Sequence, residues 1–203
     1  MSLAAGDASH PLGESPSSRY TQRMSSTENR CDHAEGPRRN IELKARLGDL
    51  EAAKSVAEKV ATERLGSEHQ IDTYFVCQKG RLKLREINSQ TSQLVFYERP
   101  DDEESKLSRY CLINVTDPES LKNALSSVLG IENVVDKQRD IYLYENVRIH
   151  LDRVAGLGSF LEFEAVLSPV DSKESGREQL AVLCEQFGIV KTDLVAASYT
   201  DMG

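Results

Sequence analysis

The sequence predicts an α+β fold in which about eight antiparallel strands form a closed β-barrel and a few helices clad its outer surface. Several short segments alternate charged and apolar residues with the period of a strand, and short turn-forming links join many of them. Longer segments between them carry an apolar stripe with the period of a helix. An open, strongly curved sheet is the structural alternative.

The alternation is clearest in three segments, at residues 40–46, 81–85 and 160–164. Because successive side chains of a strand point to opposite faces, each segment has one charged face and one apolar face. An ordinary solvated sheet also alternates, but here the charges are sorted by sign. Arg81, Lys83 and Arg85 are all basic. Glu162 and Glu164 are like-charged neighbours, which repel one another unless a counter-ion faces them. The pattern therefore predicts a phosphate site assisted by a metal ion.

The strands follow one another in order along the chain. They are predicted at residues 40–47, 70–78, 81–88, 93–99, 106–114, 134–144, 146–153 and 160–168. Lys79–Gly80 and Glu145–Asn146 are typical of tight hairpin turns, and residues 155–159 are typical of a glycine-rich hairpin loop. Because such short links join consecutive strands, most strand pairs are predicted to be antiparallel.

Three helices are predicted between the strands. The first spans Leu50–Leu65 and is ended by Gly66. The second starts with Asp117 as N-cap and runs to Gly130, and the third spans about Glu174–Phe187. Each helix has an apolar face to bury, and the strands offer their apolar faces to it. The charged faces are then left to line the interior of the barrel.

The chain has 203 residues and a formal net charge of −8. Residues 1–37 show no sustained apolar period and are predicted to be a disordered tail, and residues 38–203 to be one domain. The chain shows neither a secretion signal nor a run of membrane-spanning length, so we expect a cytoplasmic protein that does not bind membranes. Its acidity argues against binding a nucleic-acid duplex. A locally basic interior favours a small multivalent anion.

A series of short motifs follows in order from residue 38 towards the end of the chain. They are Asn40–Lys44, Asp72–Phe75, Arg81–Arg85, Tyr97–Pro100, Lys137–Arg139, His150–Glu164 and Ser198–Asp201. Together they resemble the CYTH superfamily, named for class IV adenylyl cyclases and thiamine triphosphatases and also called triphosphate tunnel metalloenzymes. Asn40 stands where the family's Glu-x-Glu-x-Lys hallmark has its first glutamate.

The resemblance implies a closed eight-stranded barrel that binds a linear triphosphate in its tunnel, with Mg²⁺ or Mn²⁺ as cofactor. The residues it implies for phosphate binding are Lys44, Arg81, Lys83, Arg85, Arg99, Lys137 and Arg139. Those it implies for metal binding are Glu42, Asp152, Glu162 and Glu164, and these four with Lys44 are the predicted catalytic residues. Both sets suit the chemistry, because guanidinium and ammonium groups bind phosphate oxygens and carboxylates bind hard divalent cations.

The first function expected is a divalent-metal-dependent hydrolase of inorganic triphosphate or a small organic triphosphate. One alternative is a class IV adenylyl cyclase that makes cyclic AMP from ATP in the same tunnel. Another is a non-catalytic binder of polyphosphate or nucleotides, because Asn40 removes one carboxylate from the predicted metal site. The protein is expected to act as a monomer or a homodimer.

Overall fold

The computed structural model describes residues 38–98 and 106–202, whose strands close into a barrel. The strands are β1 (Arg38–Leu47), β2 (Glu63–Phe75), β3 (Arg81–Ile87), β4 (Thr91–Glu98), β5 (Lys106–Val115), β6 (Ile131–Tyr144), β7 (Val147–Val154) and β8 (Gly158–Leu167). Every neighbouring pair is antiparallel. The predicted closed eight-stranded antiparallel barrel is therefore confirmed, and the open sheet is excluded.

The strands follow one another around the barrel in the order β1-β5-β4-β3-β2-β6-β7-β8, and β8 pairs again with β1. The first strand therefore lies between the fifth and the last. Its register with β8 sets Glu42 opposite Glu164 and Lys44 opposite Glu162. Directly opposite residues of an antiparallel pair project to the same face of the sheet, so these four charges share the interior of the barrel.

The link between β2 and β3 depends on Gly80, which has a positive φ of 67°. A Cβ atom at this position would lie 2.8 Å from the Phe96 ring and 2.9 Å from the carbonyl oxygen of Tyr97. A side chain would therefore strain the backbone and collide with β4. Glycine allows the link to approach β4 closely.

The first helix, α1 (Leu50–Val60), is shorter than predicted. The predicted end at Leu65 is wrong, because β2 already begins at Glu63. The helix ends early because the first residues of β2 pair with the last residues of β6. An extended backbone satisfies the hydrogen bonds of this pairing. Gly66 lies at an irregularity in this pairing instead of at a helix end.

The other two helices agree with the predicted bounds to within a residue. They are α2 (Pro118–Leu129) and α3 (Lys173–Gln186). The Asp117 carboxylate accepts a hydrogen bond from the backbone nitrogen of Ser120 at 3.1 Å, which caps α2 as predicted. Among the described residues, no helix is long and apolar enough to cross a membrane.

The main hydrophobic core lies between the barrel wall and helices α1 and α3. Its deeply buried wall residues include Ile41, Ile149, Leu151, Leu161 and Phe163, which lie on the outward apolar faces predicted from the sequence. Helix α3 approaches the wall at Gly176, where an added Cβ atom would lie 3.1 Å from Ile41 and from Leu167. Packing on this side fixes β1, β7 and β8, the strands that carry the predicted carboxylates.

A second apolar cluster fills the barrel at the end where β1 ends and β8 begins. Its buried members are Tyr74, Val135, Val154, Phe160 and Tyr199. Tyr199 belongs to residues 194–202, which we call the plug. The plug is attached to β1 through the backbone nitrogen of Val195, which donates to the Lys44 carbonyl oxygen at 2.9 Å. The barrel interior is therefore closed by the plug and open at the opposite end.

Candidate active site

A cavity of about 970 Å³ occupies the barrel interior. Ser198 and Tyr199 of the plug lie at its floor, and Ser67 and Thr116 lie at its open rim. The predicted site residues that line it are Glu42, Lys44, Lys83, Arg85, Lys137, Arg139, Glu162 and Glu164. The structure thus brings most of the predicted site together in a single cavity.

The basic side of this cavity is built around Asp72, whose carboxylate is fully buried. It accepts hydrogen bonds from Lys83 Nζ at 2.9 Å, Arg85 Nε and Nη2 at 2.7 and 2.8 Å, and Lys137 Nζ at 2.8 Å. Burial alone would raise the pKa of Asp72, but these three cations outweigh it and hold the pKa well below its usual range. A single carboxylate therefore orients three cations and leaves an excess of positive charge for an anion.

Lys137 is the most deeply buried of these cations, with 2% of its surface exposed. Burial lowers the pKa of Lys137 to about 7; Asp72 opposes this shift, and the neighbouring charges of Arg85 and Arg139 add to it. The amine therefore exchanges its proton near neutral pH. A bound polyanion would favour the protonated form.

We expect triphosphate binding to take up a proton at and above pH 7. The ligand raises the Lys137 pKa from about 7, so affinity should fall as pH rises from there towards the ordinary value of 10.5. In the ligand-free protein, Lys137 alone makes stability rise with pH over this window, because the unfolded chain then binds the proton and the barrel does not. Calorimetry in two buffers of different ionisation enthalpy measures the uptake. Undiminished uptake in Lys137→Met would contradict the assignment.

The neighbouring part of the cavity is organised by Arg139. Its Nε and Nη2 donate to the two oxygens of Asp152 at 2.6 Å each, and Nη2 also donates to Glu162 at 2.8 Å. The Tyr199 hydroxyl donates to Asp152 at 2.7 Å. Burial would raise the pKa of Asp152, but the Arg139 charge keeps it below its usual value. Asp152 thus fixes the plane of the Arg139 guanidinium.

The acidic side of the cavity consists of Glu42 on β1 and Glu162 and Glu164 on β8. Glu162 lies 4.0 Å from Lys44 Nζ and 3.7 Å from His150 Nδ1. Burial would raise the pKa of both β8 glutamates. The pKa of Glu162 is nevertheless held well below its usual range, chiefly by the Lys44 charge, and that of Glu164 is lowered by Arg148. Both carboxylates are therefore ionised at neutral pH.

Asn40, the departure from the hallmark, is buried and bonded to this acidic side. Its Nδ2 donates to one carboxylate oxygen of Glu164, and Arg148 Nη1 donates to the other at 3.3 Å. Its Oδ1 is buried without a hydrogen-bond partner among the described residues. Asn40 therefore supplies Glu164 with a hydrogen-bond donor. A glutamate at this position would instead repel Glu164, because the two carboxylates carry like charge.

Two predicted site residues in the described part of the chain do not line the cavity. Arg81 lies beside the plug, where its Nη2 donates to Asp201 at 2.9 Å. Asp152 lies beneath Arg139, with its oxygens taken by Arg139 and the plug tyrosine. Arg99 lies outside the described residues. A phosphate role for Arg81 and Arg99 and a metal role for Asp152 stay predictions.

We expect Arg85→Ala to weaken triphosphate binding by about 10- to 100-fold, since it removes charge-assisted hydrogen bonds from the cavity. Arg153→Ala is the control, because the Arg153 side chain is 66% exposed and lies outside the cavity, and it should change affinity by less than about threefold. Calorimetry with inorganic triphosphate measures both variants. The same measurement on Arg81→Ala tests the predicted phosphate role of Arg81, and an equal loss in Arg85→Ala and Arg153→Ala would contradict the assignment of Arg85.

Sequence reasoning missed the organising role of Asp72 and the presence of Gln70 in the cavity. Both lie on β2 with the parity of Tyr74, and Asp72 pairs directly with Arg85 on β3. The signal was present as a lone acidic residue between two polar lumen positions. The role of Asp72 depends on the register of β2 with β3 and β6, and this register cannot be read from the sequence.

The carboxylates of the acidic side offer oxygen donors to a divalent cation. Among residues 38–98 and 106–202, no three His, Cys, Asp or Glu side chains are gathered closely enough to hold a metal as they stand. The oxygens of Glu162 and Glu164 contact Arg139 and Arg148. Glu42 nevertheless lies directly opposite Glu164 and lines the same cavity. Carboxylate oxygens are hard ligands, so the three glutamates fit Mg²⁺ or Mn²⁺ in chemical type.

Comparison with known proteins places the chain among others of this architecture. The family model for the CYTH domain matches residues 38–199. A Methanocaldococcus jannaschii protein named as a candidate adenylate cyclase, MJ0240, is 25% identical over 170 residues, which cover 80% of this chain and 97% of that protein. The PH1012 protein of Pyrococcus horikoshii OT3 superposes with a TM-score of 0.72 at 27% identity, over 80% of this chain and 98% of that one. A conserved hypothetical protein from Pyrococcus furiosus superposes with a TM-score of 0.73 at 23% identity, over 81% and 99%. With most of its length matched by the family model, this chain belongs to the CYTH domain family.

Proposed function

We propose that the chain is a divalent-metal-dependent hydrolase of inorganic triphosphate or a small organic triphosphate, bound in the barrel cavity. The observation that carries the proposal is the buried convergence of Lys83, Arg85 and Lys137 on one carboxylate, beside Arg139 and Lys44 in the same cavity. So many buried cations are costly in the absence of an anion. A linear polyanion is the ligand class that compensates them along the cavity.

The basic residues would bind and orient the phosphate chain. Arginine forks match pairs of phosphate oxygens, and lysines supply compact charges. Asp152 positions Arg139, whereas the ring of Tyr199, whose centroid is 3.5 Å from Lys44 Nζ, supports that ammonium group through a cation–π contact. These contacts hold the basic side chains in place before the substrate binds, so that binding has to order few of them.

The acidic residues Glu42, Glu162 and Glu164 would hold a divalent cation. When bound, such an ion supplies Lewis acidity that neutralises phosphate charge and makes water a stronger nucleophile. The chain's own contribution is to keep Glu162 and Glu164 ionised inside a buried cavity. Lys44 and Arg148 do so in the absence of the metal.

An adenylyl cyclase is the second candidate function, because the similar MJ0240 protein is named as a candidate adenylate cyclase. Both activities use the same phosphate site and differ in the atom that attacks. In the cyclase the ribose 3′-hydroxyl would attack the α-phosphate, whereas in the hydrolase a water attacks. The non-catalytic binder keeps the basic cluster without turnover.

The deciding experiment incubates the full chain with inorganic triphosphate, ATP, GTP and thiamine triphosphate in Mg²⁺ or Mn²⁺. Phosphate, pyrophosphate and cyclic AMP are scored separately. Phosphate release that depends on the metal supports the hydrolase, and cyclic AMP supports the cyclase. Binding of a triphosphate without any product identifies a binder and overturns both enzymatic readings.

We further propose that residues 38–203 form the functional domain, that residues 1–37 form a disordered tail, and that the protein acts in the cytoplasm as a monomer or homodimer. The family match to residues 38–199 supports this domain boundary. Limited proteolysis with mass spectrometry tests it: cleavage confined to the first 37 or so residues is expected.

A further inference from the structure

We propose that His150 is a nitrogen ligand of the divalent cation on the acidic side of the cavity, and that this ligand makes the site select Mn²⁺ over Mg²⁺. The inference rests on the proposed function and adds a residue outside the four carboxylates that the family resemblance implies for metal binding. It is carried by a buried ring nitrogen without a hydrogen-bond partner and by the position of that nitrogen beside Glu162.

His150 is almost fully buried, yet its Nδ1 makes no hydrogen bond. The residue is 6% exposed and lines the cavity. Its Nδ1 has no partner among the described residues, because the oxygen Glu162 Oε2 lies 3.7 Å away, which is too far for a hydrogen bond. A buried polar atom without a partner is costly, so the site calls for a partner that the chain itself does not supply.

An ion pair between His150 and Glu162 does not account for this arrangement. Burial, and then the charge of Arg139, lower the pKa of His150, and the neighbouring carboxylates of Glu162 and Glu164 oppose this shift without reversing it. The imidazole is therefore neutral at neutral pH, and one of its ring nitrogens carries a lone pair. The neutral ring is the form in which histidine binds metal ions.

The fold sets His150 beside the carboxylates that are proposed to hold the cation. His150 on β7 pairs directly with Glu162 on β8, and Arg148 pairs with Glu164 in the same ladder. Residues directly opposite each other in an antiparallel pair project to the same face of the sheet. The imidazole therefore faces the cavity together with both β8 glutamates.

The distance between the two side chains suits a shared ion. Neighbouring ligands of an octahedral ion are about 3 Å apart, because each bond to the metal is about 2.1 Å long. The 3.7 Å between His150 Nδ1 and Glu162 Oε2 exceeds this by less than about 1 Å, which small side-chain movements can close. The same oxygen accepts from Arg139 at 2.8 Å, and its second lone pair is directed elsewhere.

The composition of the acidic side gives a nitrogen ligand its effect on metal choice. Asn40 stands where the hallmark has a carboxylate, and its Oδ1 is a neutral oxygen. Mg²⁺ binds through hard oxygens and retains much of its water, so it loses from this replacement and gains little from an imidazole. Mn²⁺ is a transition ion and accepts a nitrogen ligand beside carboxylates more readily than Mg²⁺ does. The site therefore favours Mn²⁺.

The test measures binding of Mn²⁺ and of Mg²⁺ to the full chain by calorimetry, and records the pulsed electron paramagnetic resonance of bound Mn²⁺, which detects a directly coordinated nitrogen. The unmodified chain is compared with His150→Asn, whose amide oxygen takes the place of Nδ1, and with His150→Leu, which removes the ligand. His69→Asn is the matched control, because His69 lies outside the cavity and contacts Asp136 at 2.7 Å. Thermal melting establishes that each variant is folded.

We expect Mn²⁺ to bind the unmodified chain at least about 10-fold more tightly than Mg²⁺, with nitrogen coupling in its spectrum. His150→Leu should weaken Mn²⁺ binding by about 10- to 100-fold and Mg²⁺ binding by less than about threefold. His150→Asn should still bind Mn²⁺ but lose the nitrogen coupling. His69→Asn should change neither the affinities nor the spectrum.

Two spectroscopic results overturn the inference and leave the proposed function standing: bound Mn²⁺ without nitrogen coupling, and coupling that persists in His150→Asn. Equal losses for the two ions in His150→Leu also overturn it, because His150 would then act through packing. Mg²⁺ binding as tightly as Mn²⁺ overturns the selectivity. Absence of Mn²⁺ binding by the unmodified chain removes the metal from the proposed function itself.

Discussion

Replacing Asp72 by asparagine is expected to destabilise the ligand-free protein by about 3–5 kcal/mol, because Lys83, Arg85 and Lys137 would lose their shared counter-ion. The same variant should respond more strongly to triphosphate, since the ligand then supplies the missing negative charge. Denaturant unfolding with and without inorganic triphosphate measures both effects. The ligand-induced gain in unfolding free energy should be larger in Asp72→Asn than in the unmodified chain.

Asp136→Asn is the matched control, because Asp136 lies on β6 with a half-exposed side chain that contacts only the surface residue His69 among the ion pairs described. Its effect on stability should stay within about 1 kcal/mol. Unchanged stability in Asp72→Asn would mean that the buried cations do not depend on this carboxylate. A smaller response to triphosphate than in the unmodified chain would mean that the cluster needs Asp72 to bind the anion.

Replacing Glu162 by glutamine is expected to weaken Mn²⁺ binding by about 10- to 100-fold and to reduce metal-dependent turnover at least as much. The substitution keeps the shape of the side chain and removes its charge. The fold should survive, because Arg139 keeps its paired hydrogen bonds to Asp152. Calorimetry with Mn²⁺ and a turnover assay across a Mn²⁺ titration measure the two effects.

Glu132→Gln serves as the control, because Glu132 is exposed on β6 outside the cavity. Glu164→Gln is expected to behave like Glu162→Gln if both carboxylates hold the metal. Unchanged Mn²⁺ affinity in Glu162→Gln, together with altered binding of triphosphate in EDTA, would assign Glu162 to positioning Lys44 and Arg139. That result would contradict a metal role for this residue.

The barrel could be predicted from the sequence because its strands are amphipathic with period two. Charges and apolar side chains alternate so regularly on β1, β3 and β8 that the inner face is fixed by parity alone. The start of β2 could not be predicted in this way. Leu65 continues the apolar stripe of α1, and only the pairing of Glu63 and Arg64 with β6 assigns this segment to a strand.

The inward charges of β1, β3 and β8 were predictable from their alternation, and Lys137, Arg139 and Asp152 only from the family resemblance. The pairings among these side chains were not predictable. Arg81 and Arg85 lie on the same face of β3, yet one contacts the plug and the other contacts Asp72. Asn40 shows the same limit. The sequence presents it as a lost metal ligand, whereas in the fold its amide donates to Glu164. Position along the barrel axis decides these roles, and it depends on long-range register.

The place of β1 between β5 and β8 has a consequence for how the protein folds. Lys44 and Glu162 meet only when the first and last strands pair, which brings together two segments more than a hundred residues apart. Closing so long a loop is entropically expensive, and topologies dominated by such distant pairs fold slowly. During synthesis, β1 cannot pair with β8 until β8 has left the ribosome. The acidic side of the cavity, divided between these two strands, is therefore assembled in the step that closes the barrel, and a partly folded chain has no complete site.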